Sequence, residues 1–198
     1  MTDQGTRAEQ SEGSLGGRLP AVHRYDDELA RMDAVATIAA LDRGDVSVRE
    51  VVAAAVERAR SLDPELGAVA FERFDAALSN LDSARPRRGG FHGIPTFIKD
   101  MVPVAGLPLT WGSAALAGGP PQRRTAGVAR DMADMGMTLL GSSTMPEWGF
   151  TPSTEFPDRD PTRNPWNPRR SVGGSSGGAA ALVAAGVVPV AHAVDGGG

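Results

Sequence analysis

The chain has 198 residues, 41% of them hydrophobic, with a formal net charge of −4 and no cysteine. A chain of this length can bury a core of single-domain size, its intermixed charge signs offer no basic stripe for nucleic acid, and the lack of cysteine excludes disulfides, thiolate metal sites and a cysteine nucleophile. No run of about 20 apolar residues suggests a membrane span, and the polar start from Met1 to Gly17 is unlike a secretory or transit segment, so a cytoplasmic protein is expected.

In chain order, Met1 to Leu19 is rich in Gly, Ser, Gln and charge and reads as a disordered lead-in (1–19), with a single domain over 20–198 and order starting near Asp26. The alanine-rich stretch Asp33 to Leu41 predicts a helix ended by Gly44. Ser47 and Glu50 form a capping box that starts a second helix, whose apolar positions Val48, Val51, Val52, Ala55, Val56, Ala59 and Leu62 recur every three or four residues. Asp63-Pro64 is expected to stop it. A short strand near Ala68 to Phe71 and a helix from Phe74 to Leu81 then lead into a charged, solvated loop, Arg85 to Gly90. Beyond it the pattern predicts a buried strand at Pro95 to Ile98, a helix at Thr125 to Met135 and a strand at Met137 to Leu140, the alternation of an α/β core. Five prolines between Thr151 and Arg170 argue for an irregular surface connection. Ser176 to Ala185 could form a helix with glycines at its N-terminus, followed by a buried strand from Val187 to Val194 that delivers Asp195 to Gly198 at its end.

Two segments carry candidate chemistry. Lys99 directly follows an apolar strand, where partial withdrawal from water disfavours the ammonium; to act as a base near neutral pH its pKa must fall well below the usual value of about 10.4. A surface lysine paired with Asp100 is the alternative on this segment alone. The run Gly173-Gly174-Ser175-Ser176-Gly177-Gly178 could cradle a phosphate at a helix start, yet Gly178 leads into Ala179-Ala180-Ala181 without the lysine and hydroxyl of a P-loop. A flexible linker does not explain the helix-like and strand-like runs that follow so closely. What remains is a backbone cradle holding two hydroxyls, with a second glycine run, Gly196 to Gly198, whose N–H groups could face a developing oxyanion. His23, His92 and His192 are scattered, so a metal cluster is not expected, and His192 reads as a core or supporting residue of an apolar strand rather than a catalyst.

The segment Gly93 to Asp100, the loop with Ala105-Gly106 and Gly112-Ser113, Asn164-Pro165-Trp166-Asn167-Pro168-Arg169-Arg170, and Gly173 to Gly198 together resemble the amidase signature enzymes in order and approximate spacing. The resemblance implies an α/β fold with a mixed central sheet flanked by helices, incomplete in this chain. It also implies a Ser/cis-Ser/Lys triad that works without a cofactor. Lys99 matches the lysine base and Ser175 the bridging serine preceded by a cis peptide. The nucleophilic serine would be the first residue after Gly198. Gly196, Gly197 and Gly198 match the oxyanion-binding glycines, and Ser176 and Asp195 the supporting positions. Gly141-Ser142-Ser143-Thr144 departs from the family's usual Gly-Lys-Thr-Asn, and Ala193-Val194 from its usual Gly-Thr; Ala191-His192-Ala193 with three glycines is similar to the branch that includes cyclic amide oligomer hydrolases. The expected activity is amide hydrolysis through an acyl-enzyme on a small-molecule amide, with no nucleic-acid or membrane partner; a homo-oligomer is compatible with the sequence. Family members continue past the nucleophile, so the chain is expected to be an N-terminal part that is inactive alone. The glutaminase subunit of a tRNA-dependent amidotransferase and a non-catalytic glycine-loop binding module are the alternatives.

Overall fold

The computed structural model describes residues 21–23, 27–83 and 90–196. The lead-in expected over 1–19, the onset of order near Asp26 and the charged loop at 85–89 lie outside the described residues. Two helices open the described chain, α1 (Glu28–Arg31) and α2 (Ala34–Arg43), N-capped by Asp27 and Asp33, whose carboxylates accept from the N–H of Ala30 at 2.6 Å and of Ala36 at 2.8 Å. As expected, α2 ends at Gly44, in the left-handed conformation at φ 74°. One turn is too short to show a hydrophobic period, so α1 has no signature in the pattern.

Helix α3 (Val48–Leu66) begins on the predicted capping box, with Ser47 Oγ accepting from Glu50 N–H at 3.2 Å and the Glu50 carboxylate accepting from Ser47 N–H at 2.8 Å. Val51, Val52, Ala55, Val56, Ala59 and Leu62 form its buried face, and Val48 is partly buried at its start. Pro64 does not stop the helix. It sits in the last turn, where proline forfeits a single donor, and the turn is held by other bonds: Gly67 N–H donates to Asp63 O at 2.8 Å, and the Asp63 carboxylate accepts from Ala68 N–H at 2.7 Å and Val69 N–H at 2.9 Å. Arg58, on the same helix and 5% exposed, pairs with Asp27 at 3.1 Å and donates to Val187 O at 3.2 Å, tying the start of the chain to its last described segment.

Three strands, β1 (Val69–Glu72), β2 (Pro95–Lys99) and β3 (Thr138–Ser143), form a sheet in the order β1-β3-β2. The middle strand runs antiparallel to β1 and parallel to β2, so the sheet is mixed. On one face lie α3, α4 (Phe74–Ser83) and α6 (Gly177–Ala184), where Phe97 and Leu140 pack with Val52, Leu66, Phe74 and Leu182. Phe74 meets Phe97 edge-on, with ring centroids 6.3 Å apart. On the other face Ile98 packs with Val104, Leu107 and Ala129, the last from α5 (Gly127–Asp134). Burying each of these large apolar side chains contributes about 1.5–3 kcal/mol, and together they fix the height and direction of β2, whose last residue is Lys99.

The proline-rich stretch 151–170 contains neither helix nor strand, and its only ladder-type pairing is a bridge between Arg163 and Ser171. A second expectation fails here. Residues 187–194 form no strand: Val187 and Val188 are buried as the apolar run suggested, but beside β2 the segment makes a single backbone bond, His192 N–H to Phe97 O at 2.9 Å. A ladder needs the return bond from Lys99 N–H to a carbonyl, and that amide goes to the imidazole of His192 instead. Among the described residues no helix is long and apolar enough to cross a membrane.

Candidate active site

The site forms where the C-terminal end of β2 meets the start of α6. Lys99 is 1% exposed, because the parallel pairing of β2 with β3 sets it opposite Ser143 in the middle of the core. Its Nζ lies 2.7 Å from Ser175 Oγ. Burial holds the amine below the ordinary lysine pKa, which favours the neutral form that can accept a proton from a hydroxyl.

Asp100, considered from sequence as an ion-pair partner for Lys99, has a different task. Its buried carboxylate accepts from the Thr110 hydroxyl, from Thr110 N–H at 3.2 Å and from Gly112 N–H at 3.4 Å, and its carbonyl accepts from Trp111 N–H at 3.1 Å. Burial pushes this carboxyl up from its ordinary value, against the pull of those donors and of Arg159. These bonds fold the chain after Lys99 back onto Asp100. That loop packs on the segment after β3: Trp148 N–H donates to Trp111 O at 2.8 Å, the Ser113 hydroxyl donates to Glu147, and a Cβ on Gly112 would come within 2.2 Å of Met145 O.

The glycine run around Ser175 is explained by what surrounds it. A Cβ on Gly177 would lie 2.1 Å from Thr154 Oγ1, one on Gly178 2.4 Å from Thr144 Oγ1 and 2.7 Å from Ala68 O, and one on Gly174 3.0 Å from Ser153 N. These glycines let α6 start flush against the 144–154 segment, so Ser175 is set beside β2 by close backbone packing. The Gly178 amide is taken by Thr144 O at 3.1 Å. The Gly174–Ser175 peptide bond is cis. Sequence reasoning missed Thr144 and Thr154 as the partners of this packing, since nothing local links them to the glycines.

Ser176 occupies the N-cap of α6 but makes no capping bond. Its hydroxyl instead accepts from Val194 N–H and donates to Val194 O, both at 3.1 Å, and so pins the segment that leads to Asp195 and Gly196. Asp195 and Gly196 are exposed, and Gly197 and Gly198 lie outside the described residues. The imidazole Nδ1 of His192 accepts from Lys99 N–H at 3.4 Å, and burial holds the ring below the ordinary histidine pKa, with a smaller push from Lys99 whenever its amine is charged. The structure thus brings Lys99, Ser175 and, through Val194, Ser176 to one place. Among the described residues no group of three or more His, Cys, Asp or Glu is arranged to hold a metal ion.

A buried amine in contact with a serine hydroxyl can relay a proton once it is in its neutral form. Known proteins share this arrangement of segments. The family model described as Amidase matches residues 50–198. Over 183 residues the chain is 43% identical to the protein named "Putative amidase AmiC" of Mycobacterium tuberculosis (strain ATCC 25618 / H37Rv), covering 91% of this chain and 38% of that protein. It is 38% identical over 178 residues to a glutamyl-tRNA(Gln) amidotransferase subunit of Acidothermus cellulolyticus, covering 86% of this chain and 35% of that one. Among solved structures, 6-aminohexanoate cyclic dimer hydrolase superposes with a TM-score of 0.78 at 35% identity, over 84% of this chain and 34% of that chain. A bacterial aryl acylamidase of the amidase signature family superposes with a TM-score of 0.75 at 34% identity, over 81% of this chain and 34% of that chain. The chain therefore spans little more than a third of the length of these relatives, and its mixed sheet between helices is part of their fold. By family match, sequence identity and superposition, it belongs to the amidase signature family.

Proposed function

We propose that the protein hydrolyses an amide C–N bond of a small-molecule substrate through a serine acyl-enzyme, with neutral Lys99 as base and Ser175 as proton bridge. In this reading Lys99 takes the hydroxyl proton of Ser175 while Ser175 takes that of the nucleophilic serine, the residue that would follow Gly198, as it attacks the carbonyl carbon. The same relay, run backward, protonates the departing amine. Water then attacks the ester and releases the acid. The amides of Gly196, Gly197 and Gly198 would face each tetrahedral oxyanion, and in comparable sites the loss of one such donor costs roughly 3 to 4 kcal/mol. The relay as drawn uses protein groups alone.

The observation that supports this reading above all is the 2.7 Å approach of a buried Lys99 Nζ to Ser175 Oγ. Changing Lys99→Ala in the protein expressed from its whole gene should lower kcat on primary carboxamides by about 10⁴-fold or more, with an unchanged circular dichroism spectrum. Turnover within a few-fold of the unaltered protein would overturn the reading. On the same reading the 198 residues alone turn over no amide at a measurable rate, and a purified chain of that length that does so counts against it.

A second reading has specific support in the 38% identity to the glutamyl-tRNA(Gln) amidotransferase protein. On it, the substrate is glutamine and the released ammonia passes to another subunit. Glutamine hydrolysis that appears only when partner proteins are added would favour it, whereas turnover of simple amides by the purified protein alone favours the first.

A further inference from the structure

The main chain of Lys99 has one group that the sheet does not hold. On its β3 side β2 is fixed by the ladder, including Asp100 N–H to Ser143 O at 3.1 Å. On the opposite edge the Lys99 carbonyl is taken by Met101 N–H at 2.7 Å and Val102 N–H at 3.1 Å. The Lys99 amide points to the same edge, where the passing 187–196 segment supplies no carbonyl to it. His192 supplies the missing acceptor from its side chain: its own N–H donates to Phe97 O at 2.9 Å, and its Nδ1 accepts from Lys99 N–H at 3.4 Å. One residue thus closes both bonds of a parallel bridge, the second through its ring.

The geometry points to His192 as a positioning residue for the lysine base: by accepting the Lys99 amide at Nδ1 it locks the last residue of β2 in the orientation that brings Nζ to Ser175 Oγ. This inference rests on the role proposed for Lys99. An imidazole can play the part only as the neutral tautomer with its proton on Nε2. That form is favoured here, since burial, the larger cause, already opposes imidazolium without any charge on Lys99. The arrangement also explains why a histidine interrupts an otherwise apolar run between Ala191 and Ala193. A side chain without an acceptor at this point would leave a partly buried N–H unpaired and let the end of β2 shift, and small misplacements of a reacting group can cost about 10²-fold in rate.

The test uses the protein expressed from its whole gene, with His192→Ala, His192→Asn and Lys99→Ala compared side by side. Asparagine keeps an acceptor near the place of Nδ1. The expected result is a fall in kcat on the order of 10-fold to 100-fold for His192→Ala at nearly constant KM, recovery of most of that loss in His192→Asn, and faster hydrogen exchange at the Lys99 amide in the alanine variant only. An unchanged Lys99 amide in His192→Ala, or equal kcat in the alanine and asparagine variants, overturns the positioning role. Full turnover in Lys99→Ala would overturn the proposed function instead, and the exchange result would still show whether the imidazole holds the amide.

Discussion

Two segments meet at the site and are held in opposite ways. Every residue from Gly93 to Asp100 is buried, with sheet bonds on one edge and apolar packing on both faces, so the core sets the course of β2 and His192 adds only the last bonds on its other edge. The arm from Val187 to Gly196 begins buried but is exposed from Ala193 onward, and beside the site it is tied by a few polar bonds from Ser176 and His192. The contrast teaches that damage near β2 should disturb stability and chemistry together. Damage to the arm's tethers should disturb chemistry and leave the fold largely intact.

That contrast can be broken in several places. The largest effect is expected at the junction of the two segments: Ser175→Ala removes the bridge between amine and nucleophile, and kcat of the whole protein should fall by about 10³-fold or more with little change in thermal stability. Gly178→Ala attacks the packed side. Its new methyl would lie 2.4 Å from Thr144 Oγ1, 2.5 Å from Thr144 N and 2.7 Å from Ala68 O, backbone and side chain that cannot move apart without opening the sheet. A loss of about 3 kcal/mol is expected in urea unfolding, since overpacking a core costs about 1–3 kcal/mol and sometimes more. Ser176→Ala attacks the tethered side and removes two hydrogen bonds to Val194. Both bonds are exposed and compete with water, so their loss should cost the fold no more than about 1 kcal/mol, while the misplaced arm lowers kcat roughly 10-fold; a loss of stability as large as that of Gly178→Ala would erase the distinction between the segments.

The smallest effect is a dependence on pH. Burial lowers the pKa of Lys99 in the folded protein from the ordinary lysine value of 10.5, so between the folded and unfolded values the unfolded chain binds more protons and this group's contribution to stability rises with pH. The penalty is complete below the folded pKa and gone above the unfolded one. Urea unfolding at alkaline pH should show this upward contribution in the unaltered protein relative to Lys99→Met, and a difference of the opposite sign would mean that the ammonium is stabilised in the fold.

Much of the packed side was legible in the sequence. The capping box at Ser47 and Glu50, the spacing of Val51 through Leu62 and the apolar run before Lys99 are local signals that the fold obeys. The tethered side was not. Residues 187–194 read as a strand because apolar content alone cannot tell a ladder from an extended segment whose bonds go to a side chain, and the histidine that replaces the carbonyl looks in sequence like an ordinary interruption. Pro64 misled for a related reason: its helix-breaking effect was offset by the Asp63 carboxylate and the Gly67 cap, which act on the turn after it. Lys99 was legible as a candidate from the apolar strand before it, and the glycine run marked two hydroxyls, but their roles came only from the resemblance to the amidase signature enzymes. The reason for those glycines, the threonines at 144 and 154, appears only once the chain is folded.

The proposed relay requires an uncharged amine at Lys99 in contact with Ser175. The most direct measurement is a pH titration of the lysine Cε resonances of the whole protein by carbon NMR, with Lys99 assigned by its loss in Lys99→Met. Lys99 should titrate below the ordinary lysine value, and its resonance should change in Ser175→Ala. Titration at or above that ordinary value, with no response to Ser175→Ala, would contradict the relay.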